Sequence, residues 1–247
     1  MRFYQMKKMD KLKVIFLAII LLISGISSLD AQKVRAPNLP KYDLKKYHFG
    51  FLLAYNKFDF NIKPYSNLNA FDSLMVVESQ PQSGFNLGVI SNLRLGNNFD
   101  LRFTPTLSFG ARIINYTVMY RDTVAQVIKK NVESTYIDFP LLLKFKSSRM
   151  NNARVYVIGG LNYSIDLASQ AKKKNEQQNE VMIKLLRNDY SFQIGVGADF
   201  YLTYFKFSTE FKMAYGFRDL IQREGNLFSN SIERLNSKIM QVSFLFE

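Results

Sequence analysis

The stretch Phe192–Phe217, FQIGVGADFYLTYFKFSTEFKMAYGF, leaves few folds open. In its first arm Phe192, Ile194, Val196, Ala198 and Phe200 share one face, and Gln193, Gly195, Gly197 and Asp199 share the other. In its second arm Phe205, Phe207, Thr209, Phe211, Met213 and Tyr215 oppose Lys206, Ser208, Glu210, Lys212 and Ala214. Alternation with a period of two marks a strand with one apolar side. The parity changes within Tyr201–Tyr204, which makes those residues a hairpin turn.

Each arm is about as long as a membrane-crossing strand, roughly 9–11 residues. The apolar face is continuous and ends in aromatic rings, as in a barrel strand with lipid outside and a polar lumen inside. The same pattern recurs along the chain. It predicts strands near His48–Asn56, Phe85–Leu95, Phe99–Ala111, Thr135–Phe145, Val155–Ile165 and Lys238–Phe246, besides the two arms of the hairpin. Pro105 falls inside the third and removes a ladder donor, so a bulge or broken pairing is expected there. The connections alternate long and short, with tight turns at Gly96-Asn97-Asn98 and Ser147–Asn152 and long connections at Asn61–Gln82, Arg112–Glu133, Asp166–Arg187 and Arg218–Asn236, of which Arg112–Glu133 carries both its strands past the membrane and round a loop. The fold expected is all-β: an eight-stranded antiparallel transmembrane β-barrel with short periplasmic turns and long extracellular loops. A soluble lipocalin-like barrel is the competing fold, but its interior would be apolar. Here the second face carries Asp, Glu, Lys and Arg at mid-strand.

The first residues read as an export signal, with Arg2, Lys7, Lys8, Lys11 and Lys13 ahead of the apolar run Val14–Ile23 and a cleavage site ending at Ala31. The expected organisation is a signal peptide over 1–31, a periplasmic segment over 32–47 and an outer-membrane barrel over 48–247. The chain has no cysteine, so disulfides and a lipidated cysteine are excluded. Its net charge is +13, and because residues 1–31 hold five basic and two acidic residues, the mature chain carries +10. The basic residues are spread over strands and loops, which argues against nucleic acid and for lipopolysaccharide or an acidic partner.

Eight strands enclose a space that side chains fill, so no open pore is expected. The inward set includes Arg94, Asp100, Arg102, Asp138, Lys144, Asp199, Lys206, Glu210 and Lys212, read as a structural charge network because opposite charges at membrane depth pair. No catalytic, cofactor or metal residues are expected. The single histidine, His48, lacks a sequence-local partner and is read as structural. Gly195-Val196-Gly197 lies mid-strand and reads as room for inward packing, not as a phosphate loop.

Two stretches carry a family resemblance. Arg35–Phe60, RAPNLPKYDLKKYHFGFLLAYNKFDF, resembles the start of mature PorT proteins of Bacteroidetes, and Tyr136–Lys144, YIDFPLLLK, is similar to a strand of the wider PorT-like barrels. PorT proteins are outer-membrane barrels associated with the type IX secretion system. The resemblance implies an accessory role in export across the outer membrane, without a pore or catalysis, alongside other type IX components. It also suggests Arg35, Lys41, Tyr42 and Lys45 as contacts for a periplasmic partner. The alternatives are a structural or adhesive barrel working through its external loops, and an outer-membrane hydrolase using His48.

Overall fold

In the computed structural model the described residues are 36–65, 74–120, 124–168, 184–223 and 227–247. The expected signal peptide lies outside them. Alternation of apolar and polar residues produces nine strands: β1 (Tyr47–Pro64), β2 (Leu74–Arg94), β3 (Phe99–Phe103), β4 (Thr106–Tyr120), β5 (Val124–Lys146), β6 (Ala153–Asp166), β7 (Asn188–Tyr201), β8 (Lys206–Gly216) and β9 (Ile232–Phe246). One short helix, α1 (Leu227–Asn230), precedes β9. Every pairing is antiparallel, and the ring closes where β1 pairs with both β2 and β9. Strands β3 and β4 are two halves of one stave, since both pair with β2 on one side and β5 on the other. The ring therefore has eight staves, each paired on both sides through the body of the barrel, while residues 124–135 of β5 pair with β4 alone.

The stave breaks at Thr104-Pro105, where a proline was expected to cost a ladder bond. Pro140 lies in β5 just across the break, and the Thr104 amide reaches its carbonyl at 3.4 Å.

Alternation sorts the side chains as expected. Phe49, Phe51, Leu53 and Tyr55 of β1 are exposed, while Leu52, Ala54, Asn56 and Phe58 between them are buried. On β8 the outward Phe211 is 44% exposed and the inward Lys206, Glu210 and Lys212 are each 5% or less. A water-soluble protein reverses this, because charges are almost never fully buried unless paired. Outward rings meet across strands in two sets. Toward the short turns lie Phe51–Phe246, Phe99–Phe145 and Phe207–Phe244, with centroids 4.9, 5.0 and 6.3 Å apart. Toward the loops lie Phe85–Phe109 at 5.0 Å and Tyr163–Tyr190 at 5.1 Å. Phe99 and Phe109 stand on one stave, so ~33 Å of strand separates the sets, or ~25 Å along a normal tilted by ~40°. That matches the height of an apolar belt in an outer-membrane barrel.

The staves are unequal. Strands β1 and β2 run well past the extents expected from sequence, since much of Asn61–Gln82 is strand, and β4 and β5 continue through Arg112–Glu133 as expected, paired from Thr106↔Asp138 to Tyr120↔Val124. At this loop end the sense of the alternation reverses. Phe60, Leu74, Val77, Ile114, Tyr116, Ile232 and Leu235 face inward and bury an apolar cluster. Polar residues such as Lys129, Asn131 and Glu133 are exposed on the outside. Water surrounds this part of the wall, so its inside rather than its outside is apolar.

Candidate functional site

Polar side chains of alternate residues meet in the lumen, where a charge is stable only with a partner. Glu210 holds Arg102 at 3.0 Å and Lys212 at 3.1 Å, and accepts a hydrogen bond from the Tyr156 hydroxyl at 2.8 Å. Asp199 holds Lys144 at 2.8 Å and Arg154 at 3.0 Å and accepts from Ser208. Lys146 pairs with Asp100 at 2.6 Å. Glu247, just past β9, turns in to meet Arg102 at 3.2 Å and Lys206 at 2.6 Å. The Lys144 ammonium also sits 3.6 Å from the Tyr156 ring centre. Small residues admit these groups. A Cβ on Gly197 would stand 2.4 Å from the Tyr156 ring, and one on Gly110 would stand 2.2 Å from the Phe58 ring.

Of the nine inward residues named from sequence, seven meet in these ion pairs: Asp100, Arg102, Lys144, Asp199, Lys206, Glu210 and Lys212. Two do not. Asp138 accepts hydrogen bonds from Ser108 at 2.5 Å and Ser164 at 2.6 Å, a hydroxyl pair higher in the barrel. Arg94 is at the mouth rather than in the lumen, bonded to the Gly96 carbonyl at 3.1 Å and to Asn97 Oδ1 at 2.7 Å. β2 ends at Arg94, so its side chain reaches the turn before it reaches the network.

Sequence reasoning missed Lys146, Arg154 and Tyr156, which lie on the inward parity of their strands, and Glu247, which continues the inward parity of β9 one residue past its end. It also missed Arg112, which is fully buried among Phe58, Phe60 and Tyr136 and donates to the Tyr136 hydroxyl at 2.6 Å and to Ser237 at 2.8 Å. Arg112 marks the level where the polar lumen gives way to the apolar cluster. That cluster is roofed by loop residues: Leu185 bridges Ile221, and the Leu186 amide donates to the Leu220 carbonyl at 2.8 Å. The lumen also contains apolar patches, Leu52-Ala54-Ile90-Leu245 and Leu142-Tyr156-Ile158.

At the turn end the segment ahead of β1 folds back across the mouth. Asn38 takes the Asn152 side chain at 2.8 Å through its amide and donates to the Tyr201 carbonyl at 3.0 Å through its side chain. The Tyr42 hydroxyl donates to Glu247 at 2.9 Å. Asp43 lies 3.1 Å from Arg154 and 3.6 Å from Arg149, and accepts from the Tyr201 hydroxyl at 3.0 Å. Burial alone would raise the Asp43 carboxyl, but Arg154, the Tyr201 hydroxyl, Lys146 and Arg149 together hold it below the usual carboxylate range. His48 stacks on Tyr42 with ring centres 4.2 Å apart and donates through Nε2 to the Tyr42 carbonyl at 2.9 Å. Its ring meets no serine hydroxyl or carboxylate within hydrogen-bond distance among the described residues. Of the residues suggested as partner contacts, Lys41 and Lys45 are exposed, Tyr42 is turned into the mouth, and Arg35 lies outside the described residues.

The site is thus a filled lumen with a lid at each end, and its free surfaces are the outer wall, the loops and the rim of the mouth. Among known proteins, no curated sequence matches the chain. Similar solved structures include Neisserial surface protein A, 7% identical, covering 81% of this chain and 98% of that one with a TM-score of 0.39. OprG from Pseudomonas aeruginosa is 12% identical, with coverage of 80% and 93% and a TM-score of 0.39. Ail, the attachment invasion locus protein of Yersinia pestis, is 12% identical, with coverage of 82% and 99% and a TM-score of 0.36. The model of the outer membrane protein beta-barrel domain matches residues 31–222. That match spans most of the ring, and the chain therefore belongs to the outer membrane protein beta-barrel domain family.

Proposed function

We propose that this barrel is an accessory component of type IX protein export, acting through its surfaces and neither conducting cargo nor catalysing a reaction. The observation that carries this reading is the position of the block NLPKYD, Asn38–Asp43. It belongs to the stretch that resembles the start of mature PorT proteins, and it is the segment that folds back across the turn-end mouth. A barrel filled by Arg102, Lys144, Lys206 and Tyr156 has no room for a polypeptide, so a role in export would be to support a separate conduit. In this reading residues 1–31 direct export and are removed, and the partners are outer-membrane lipid, lipopolysaccharide and other type IX components.

The test is a deletion strain whose secretome is compared with wild type and with a complemented strain. Retention in the periplasm of proteins bearing type IX signals is the expected result. Unchanged export would reject the reading. A second reading, a structural or adhesive surface barrel, is favoured by the β4–β5 ladder, which continues paired to Tyr120↔Val124 beyond the aromatic belt. In that case the deletion strain exports normally but loses attachment to host cells or matrix.

A further inference from the structure

The lid does not fill the mouth. Beside Asp43, between the β2–β3 and β5–β6 turns, is a pocket of about 210 Å³ lined by Arg94, Lys146, Arg149, Arg154, Asn98 and Ser148 among others. Its charge is unbalanced. Four cations line the pocket: Lys146 pairs with Asp100, Arg149 with Asp43, and Arg154 with Asp43 and Asp199, which leaves Arg94 over. Among the described residues Arg94 has no acidic partner and bonds only neutral oxygens of its own turn. Arg149 is held in place by the Tyr201 ring, 3.7 Å from its guanidinium carbon, and by the Asn151 carbonyl at 2.8 Å.

We infer that this pocket binds an acidic side chain presented by a peptide segment of a periplasmic partner. Asp43 shows what the pocket's cations accept, a carboxylate taken by two guanidinium groups and a tyrosine hydroxyl. The neighbouring space offers Arg94, the Ser148 hydroxyl and the Asn98 amide, which also donates to the Lys146 carbonyl at 3.0 Å. Arg94, Lys146 and Arg154 lie on the inward parity of their strands, so the pocket opens along the barrel axis to the periplasm and not sideways to the lipid headgroups. Exposed Lys41, Lys45 and Lys46 on the lid extend the positive surface beyond the pocket, which suits a segment with several acids better than a lone ion. This inference is independent of the export reading: binding is measured on purified protein, export in cells.

The experiment uses the full chain in nanodiscs and a fluorescent glutamate-rich peptide, with its glutamine counterpart and inorganic phosphate as the other arms. One charge-assisted hydrogen bond contributes about 1.5–3 kcal/mol, so the acidic peptide should bind at least about tenfold more tightly than the glutamine peptide. Arg94→Gln should weaken it by a similar factor. Ser148→Glu, which puts a carboxylate on an exposed position of the rim, should abolish it while the heat-modified gel shift of the folded barrel is retained. Equal binding of the two peptides overturns the inference. So does binding unaffected by both variants. Phosphate binding as tight as the acidic peptide would make this a small-anion site and would also overturn it.

Discussion

Gly197 of β7 faces the lumen and Gly159 of the adjoining β6 faces outward, so a methyl group added to each meets different surroundings. At Gly197 it collides with the Tyr156 ring and with the Thr209 carbonyl at 2.8 Å, whereas at Gly159 the nearest atom is 3.5 Å away. Gly197→Val should therefore push Tyr156 off Glu210 and cost about 1–3 kcal/mol, while Gly159→Ala should be close to neutral. Urea unfolding in lipid vesicles reads both. The carboxylates differ in the same way. Asp199→Asn leaves Lys144 buried without its anion and Arg154 with Asp43 alone, and removing one partner of a buried pair costs about 3–5 kcal/mol. Asp138→Asn strands no cation, since Ser108 and Ser164 are its neighbours, and should cost clearly less in the same assay. Alternation named both residues as inward. It had no means of saying which one would meet a cation, because partners in the lumen come from staves far apart in sequence.

Two elements behave in ways that can be measured. The break at Thr104-Pro105 beside Pro140 removes ladder bonds in the middle of a stave. Amide exchange there should be faster than at Leu101 and Leu107, which are paired to Leu143 and Ile137. The lid, Pro37–Lys46, is held in part by Asp43, whose carboxyl is kept below its ordinary range. A carboxyl lowered in the folded state stabilises docking above its unfolded value, about 3.9, and that contribution is lost as pH falls through the lowered value. A spin label on Lys41→Cys, unique because the chain has no cysteine, should be immobile at neutral pH and mobile in acid. Asp43→Asn should raise its mobility at neutral pH and remove the acid step. Pro105 was legible as a breaker from the sequence. The lid was not, since a short basic segment with two prolines reads first as a tether; its docking depends on Tyr201, Arg154 and Glu247, each more than a hundred residues away.

At the scale of the whole molecule, two seals lie in series along one axis, a polar network under the lid and an apolar cluster under the loops. In planar bilayers the full chain should show no sustained conductance, and removal of Pro37–Lys46 should not create one, because Arg102, Lys144 and Lys206 still fill the lumen below Arg112. A stable conductance from the intact barrel would contradict a closed interior.

The sequence by itself determined the strand number, the faces and the membrane-facing wall. A strand's period of two is local, and each stave displays its own inside and outside without reference to its neighbours. Only the tertiary structure decided which inward charges pair, that Arg94 is left at the rim, that the wall rises unequally, and that Leu185, Ile221 and Leu235 roof the loop end. Those outcomes depend on ring closure, which brings β1 against β9 and sets register between residues that have no neighbourhood in the chain.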